Sequence, residues 1–225
     1  MTPPTRILIV EDDPRALKAM VKLLGAVADF RVVDAVQSGE LALSRLVDPW
    51  PAGPPNVVLM DLELPGIGGV ETTRRLLEQA SAMRPRLEID VLVWTSFADE
   101  DHVFEAMRAG AAGYLVKGAP RERLVRAIGE IAAGGTVLEP RLARRFWDYF
   151  RGLDRGAPVP MVLSSEELEI LQLVAKGLSN AQVGEAIGAG RRSVRTVLTR
   201  IYDKLGARSH VEAVVIAVRR GWVRV

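Results

Sequence analysis

Five short apolar runs alternate with five amphipathic segments across the first 135 residues, and that alternation leaves room for few folds. Ile7 to Val10, Arg31 to Val36, Val57 to Met60, Val91 to Thr95 and Gly113 to Val116 are apolar or β-branched, as strands buried on both faces must be. Between and after them, Pro14 to Val27, Gly39 to Leu46, Val70 to Gln79, Asp99 to Ala109 and Arg121 to Ala133 carry apolar residues at helical spacing. Five βα units predict an α/β fold built on a five-stranded, doubly wound parallel sheet. Right-handed crossovers leave 2-1-3-4-5 as the natural strand order.

In such a sheet, ligands bind beyond the carboxyl ends of the strands, so the residues that end each run carry the functional information. The first run finishes at Glu11-Asp12-Asp13, the third at Asp61 before a Pro65-Gly66 turn, the fourth at Thr95-Ser96 and the fifth at Lys117. Order 2-1-3-4-5 gathers these residues at one edge. Clustered carboxylates repel one another, and a hard cation held by oxygen ligands relieves them; Mg²⁺ fits, because it takes a few carboxylates and keeps several waters. Lys117 adds a compact positive charge and Thr95 a hydroxyl, which suits the pocket to phosphoryl oxygens, with Asp61 as the nucleophile that becomes an aspartyl phosphate. Each residue has a plainer reading: Glu11 and Asp12 as helix-capping acids, Thr95 as a β-branched strand residue, Lys117 as a solvated lysine. Asp13 is assigned to cap the helix that begins at Pro14. Four separate strand ends presenting complementary chemistry favour the functional reading.

The remaining chain is different in kind. Residues 1–135 hold 15 Lys and Arg against 19 Asp and Glu, whereas residues 160–225 hold 10 against 6, so only the C-terminal part is suited to a polyanion. Gly134-Gly135 ends the fifth helical segment, Pro140 to Phe150 is predicted as a short connecting helix, and Gly156, Pro158 and Pro160 mark a boundary. The expected division is 1–135, a linker over 136–162, and 163–225. The last part reads as four helices: one from Ser164-Ser165-Glu166-Glu167 to Gly177, a short one from Ser179 to Ile187, a third from Arg191 to Leu205, and a fourth from Ser209 to Arg220. In the third, Val194, Leu198, Ile201 and Leu205 share a face, while Arg191, Arg192, Arg195, Thr196, Thr199 and Arg200 lie opposite. A short helix, a glycine-containing turn and a helix with a basic outer face describe a helix-turn-helix. Arg195, Thr196 and Thr199 are placed for base edges; Arg191, Arg192, Arg200 and Lys204 for phosphates, with Ser193 counted in the same surface.

No cysteine is present, which excludes disulfides, thiolate zinc sites and thiol catalysis. No apolar run approaches the length of a bilayer span, and Met1 to Thr5 leads straight into a strand without a signal peptide. A cytoplasmic protein with no membrane partner is expected.

The motifs Ile-Leu-Ile-Val-Glu-Asp-Asp-Pro, Val-Val-Leu-Met-Asp-Leu-Glu-Leu-Pro-Gly, Val-Trp-Thr-Ser and Ala-Gly-Ala-Ala-Gly-Tyr-Leu-Val-Lys resemble the flavodoxin-like receiver domain of bacterial two-component response regulators over residues 6 to 133. The resemblance implies Mg²⁺ held by Glu11, Asp12, Asp61 and the backbone carbonyl of Glu63. It further implies phosphorylation of Asp61 by a sensor histidine kinase, Lys117 and Thr95 on the phosphoryl oxygens, and Tyr114 as a switch aromatic working with Thr95. Leu163 to Gly184, followed by Ser193 to Ser209, is similar to the LuxR-type DNA-binding domain across residues 163 to 222, which makes the whole chain resemble the NarL/FixJ family. That likeness implies double-stranded DNA as partner, Arg195, Thr196 and Thr199 toward the bases, and a homodimer, when phosphorylated or on DNA, supported by the last helix around Val211, Val214, Val215 and Val218. The chain departs from the usual pattern at Leu64, Gly68, Glu166, Gly190 and Val197, and its loop from Asp48 to Asn56 is long and rich in proline, expected as a surface excursion away from the site. The expected function is a phosphorylation-controlled, DNA-binding transcriptional regulator and not an enzyme. Two alternatives stand beside it: a constitutive DNA-binding regulator whose receiver is not phosphorylated, and a Mg²⁺-dependent phosphohydrolase with an Asp nucleophile.

Overall fold

In the computed structural model, residues 3–83, 87–96, 100–137, 161–207 and 210–224 are described. The chain divides into two compact units, Met1–Ala132 and Ala133–Val225.

The first unit is the expected doubly wound sheet. Strands β1 (Thr5–Val10), β2 (Phe30–Val36), β3 (Val57–Met60), β4 (Asp90–Thr95) and β5 (Gly113–Val116) lie in the order β2-β1-β3-β4-β5, all parallel. Between and after them run α1 (Pro14–Gly25), α2 (Gly39–Arg45), α3 (Gly68–Ala82), α4 (Glu100–Arg108) and α5 (Arg121–Ala132). Helices on both faces explain why β3 and the last four residues of β1 are uniformly apolar: Ile7, Leu8, Ile9, Val10 and all of Val57 to Met60 are buried. Each such side chain removed from water contributes about 1.5–3 kcal/mol. The helix starts are fixed locally. Asp13 caps α1 by accepting from the Arg15 amide at 2.9 Å, as assigned from sequence, with Pro14 in the first turn. Ser38 caps α2 by accepting from the Leu41 amide.

The proline-rich loop after α2 is anchored at the amino end of the sheet, opposite the acidic strand ends. Arg6 and Asn56 exchange backbone and side-chain hydrogen bonds, the Arg6 side chain donates to the Pro54 carbonyl, and the Gly53 amide closes a turn on Trp50. It is not wholly a surface excursion. Trp50 is half-buried and packs against the core under α2 and α3, because an indole of that size is more stable out of water.

The second unit holds four described helices: α6 (Ser165–Ala175), α7 (Asn180–Ile187), α8 (Arg191–Leu205) and α9 (His210–Arg219). Capping boxes open the first two: Ser164 with Glu167, and Ser179 with Gln182, each side chain reaching the other's amide. Gly188 and Gly206 close α7 and α8 in the left-handed conformation, at φ +69° and +68°, where a side chain is strained. Ile170, Leu171, Val183, Val194, Leu198, Ile201, Ala213 and Ala217 make one buried core. The expected face Val194, Leu198, Ile201 and Leu205 is buried, joined by Val197. The expected connecting helix over 140–150, the proline-glycine segment that follows it, and Ser209 lie outside the described residues.

Candidate functional site

β1 and β3 are neighbours in register, with Val10 opposite Met60, so the residues that follow each strand emerge side by side. Glu11 and Asp61 are both buried and Asp12 is exposed, and the three can present carboxylate oxygens within 4.8 Å of one another. On the other side of β3, the ladder between β4 and β5 runs one hydrogen bond past the strands, the Lys117 amide donating to the Thr95 carbonyl at 2.7 Å. That bond delivers the lysine to the carboxylates. Its Nζ lies 2.7 Å from Asp61 Oδ2 and 2.7 Å from Glu11 Oε2. Thr95 is fully buried at the end of β4, and Tyr114, one residue after the start of β5, is buried opposite Val93.

The electrostatics follow from this crowding. Burial pushes the Glu11 carboxyl above its ordinary value; the Lys117 ammonium opposes the rise and the Asp61 carboxylate adds to it. Burial alone would depress Lys117, but the Asp61 and Glu11 carboxylates paired with it outweigh that and hold the ammonium above its usual range. Asp61 Oδ1 accepts from the Glu63 amide at 3.2 Å, and the Glu63 side chain is exposed. Although the ammonium is close, Glu11 Oε2 is buried without a hydrogen bond of acceptable geometry. A buried carboxylate oxygen in that condition, between two more acids, is a donor set suited to a small hard cation. The residues fit Mg²⁺ by this test.

Two further groups hold the site and were missed from sequence. Gln37, at the end of β2, donates from Nε2 to the Asp12 carbonyl at 3.1 Å and ties down the acidic turn. Gly69 lets the start of α3 press against the acceptor's own backbone: a Cβ there would stand 2.0 Å from the Asp61 carbonyl oxygen and 2.6 Å from Leu62 Cα. Nothing in composition marks either residue, since each is defined by what another strand or helix brings to it.

In the second unit, Arg191, Arg192, Ser193, Thr196, Arg200 and Lys204 are exposed on α8, and Arg195 and Thr199 are partly so. The basic face is therefore continuous. Thr196 spends its hydroxyl proton on the Arg192 carbonyl at 3.0 Å, leaving its methyl and an oxygen lone pair outward. Lys204 Nζ donates to Glu167 Oε2 at 2.7 Å, which links α8 to the start of α6. Gly190 holds the first position before α8 with no side-chain cap. In α9, Val211, Val214, Val215 and Val218 are half-buried; Ala213 and Ala217 lie in the core, and Val214 and Val218 also pack against it.

A parallel sheet with three acids and a lysine at its carboxyl edge, followed by a helix-turn-helix with a basic outer face, defines a two-domain regulator of receiver and DNA-binding type. Comparison with known proteins agrees over both parts. Residues 7–129 match the response regulator receiver domain, and residues 161–217 match the bacterial regulatory proteins of the luxR family. The response regulator GacA of Pseudomonas aeruginosa is 32% identical over 221 residues, 97% of each chain, and the transcriptional regulatory protein DegU of Brevibacillus brevis is 28% identical over 236 residues, 98% of this chain and 95% of that one. A solved two-component response regulator of the LuxR family from Aurantimonas is 29% identical with a TM-score of 0.54, covering 65% of this chain and 97% of that one. This chain belongs to the NarL/FixJ family of two-component response regulators, and it is a DNA-binding transcriptional regulator with a receiver domain. The family consists of transcription factors and not enzymes, which removes the phosphohydrolase alternative. No helix among the described residues is long and apolar enough to cross a membrane.

Proposed function

We propose that this regulator is switched by phosphorylation of Asp61. The observation that carries the reading is the buried Asp61 carboxylate lying beside Glu11 and Asp12 with the Lys117 ammonium at 2.7 Å. Glu11, Asp12, Asp61 and the Glu63 carbonyl would hold Mg²⁺, which offsets negative charge as a dianionic phosphoryl group approaches. The remaining work falls to the chain. An Asp61 oxygen forms the new P–O bond while the P–N bond to a phosphohistidine of a sensor kinase breaks. Lys117 leaves Glu11 to follow the phosphoryl oxygens, and the Thr95 hydroxyl donates to another of them. Thr95 and Tyr114 then carry the change out of the site, as a bias on a two-state receiver.

The output rests on α8. Arg195, Thr196 and Thr199 read base edges, and Arg191, Arg192, Ser193, Arg200 and Lys204 meet phosphates and fix register. Residues 1–135 form the receiver, 136–162 the linker and 163–225 the DNA-binding domain. The half-buried valines of α9 support a homodimer on DNA or after phosphorylation, and the chain works in the cytoplasm. The test treats the full chain with Mg²⁺ and beryllofluoride, then measures oligomeric state by light scattering and affinity for a random-sequence duplex pool by filter binding. The reading expects a dimer and tighter binding. If neither changes although beryllofluoride is bound, the chain is a constitutive regulator.

A further inference from the structure

Lys117 touches something besides carboxylates. Its Nζ stands over the face of the Trp94 indole, 5.0 Å from the ring centroid. The placement is set by the sheet: Trp94 is opposite Leu115 in the β4–β5 ladder, and the Lys117 amide is bonded to the carbonyl of Thr95, the residue after Trp94. Ring and ammonium are therefore held by two adjacent, hydrogen-bonded strands. The tryptophan is half-buried and the lysine side chain is 19% exposed, so the contact is largely shielded from water, where the attraction between a cation and an aromatic face is strongest.

We propose that Trp94 is a positioning residue for Lys117: the ring face keeps the ammonium at the mouth of the acidic cluster, so that it remains within reach of Asp61 when Glu11 is given over to another cation. The physical need is specific. With Glu11 and Asp61 as its sole anchors, a lysine displaced from Glu11 would be held from one side by a single carboxylate on a flexible four-carbon stem. A ring face on a neighbouring strand adds a second point of attraction without competing for the carboxylate oxygens. It also places an indole, whose emission responds to nearby charge, against the group that moves.

This inference rests on the phosphorylation reading in part, and the experiment separates the two. In a chain whose other tryptophans, Trp50, Trp147 and Trp222, are replaced by phenylalanine, Trp94 emission is compared with and without Lys117→Met, in the absence of any phosphodonor. The contact predicts a different emission maximum or intensity; identical spectra would overturn it, whatever the function. The full chain and its Trp94→Phe and Trp94→Leu variants are then phosphorylated with acetyl phosphate and Mg²⁺. Phenylalanine keeps the aromatic face and leucine keeps only bulk, so Trp94→Phe should stay near the parent rate while Trp94→Leu falls by about two- to tenfold. Equal rates in all three, or equal loss in both variants, would reduce Trp94 to a packing residue. Failure of the parent itself to gain a phosphoryl group would overturn the phosphorylation reading and with it this role, while the spectra would still decide the contact.

Discussion

Glu11 and Glu167 are both buried carboxyls, and their surroundings push them in opposite directions. Glu11 sits among acids, and burial raises it. For Glu167 burial also acts upward, but the hydrogen bond from Lys204 and the one from the Ser164 amide prevail, and its carboxyl is held below the ordinary value. A carboxyl depressed by folding binds fewer protons in the folded state than in the unfolded one, so its contribution is complete above the unfolded value near 4.5 and is lost as pH falls through the folded value. Urea unfolding between about pH 5 and pH 3 of a full chain in which Trp50, Trp94 and Trp147 are replaced by phenylalanine, followed by emission from Trp222, should show this loss. Glu167→Gln should flatten that part of the profile; an unchanged profile would remove the ion pair from the account. Lys204→Met should cost about 1–2 kcal/mol at neutral pH, because it leaves a buried carboxylate with one hydrogen-bond donor fewer.

At the level of elements, close approaches between backbones decide what substitutions are tolerated. Gly69 admits α3 to the end of β3 and its own amide bonds to the Leu62 carbonyl at 3.0 Å. Gly69→Ala should push the helix away from Asp61 and destabilise the receiver by about 2 kcal/mol or more, read as a lower urea midpoint. Gly190 is the converse. Its φ of −72° and ψ of 148° are ordinary cap geometry, and a Cβ would meet nothing nearer than Ser193 Oγ at 4.0 Å. Gly190→Ser should therefore raise stability by a few tenths of a kcal/mol, measured the same way. These two glycines also mark how far the elements were legible. The strands from Val57 to Met60 and from Ile7 to Val10 were readable because a buried parallel strand is an unbroken apolar run, and the cap at Asp13 because an acid before Pro14 has a local cause. The capping box at Ser164 was equally local. The hold of Gln37 on Asp12 and the pairing of Lys204 with Glu167 were not readable, since each joins residues more than ten positions apart, and neither was the burial of Trp50, which depends on the finished core. Val197 escaped for a different reason: a helix face read strictly at spacings of three and four omits the residue beside the stripe, which a 15-residue helix in a three-sided core also buries.

For the whole molecule, the two halves divide the chemistry. In the proposed reading an acidic receiver gathers a cation and a phosphoryl group, while a basic helix-turn-helix meets DNA; the 15 to 19 balance in the first 135 residues and the 10 to 6 balance after residue 160 are the sequence-level trace of that division. Strand order made the candidate site legible, because 2-1-3-4-5 brings Glu11, Asp61, Thr95 and Lys117 to one edge whatever the side-chain details. In that reading every regulatory consequence runs through one carboxylate, Asp61. The most direct measurement is therefore the intact mass of the full chain after acetyl phosphate and Mg²⁺, beside Asp61→Asn treated identically. The account predicts the gain of one phosphoryl group on the parent, abolished by chelating the metal, and none on the variant. A parent that folds yet gains no mass, or a variant that gains as much as the parent, would contradict it.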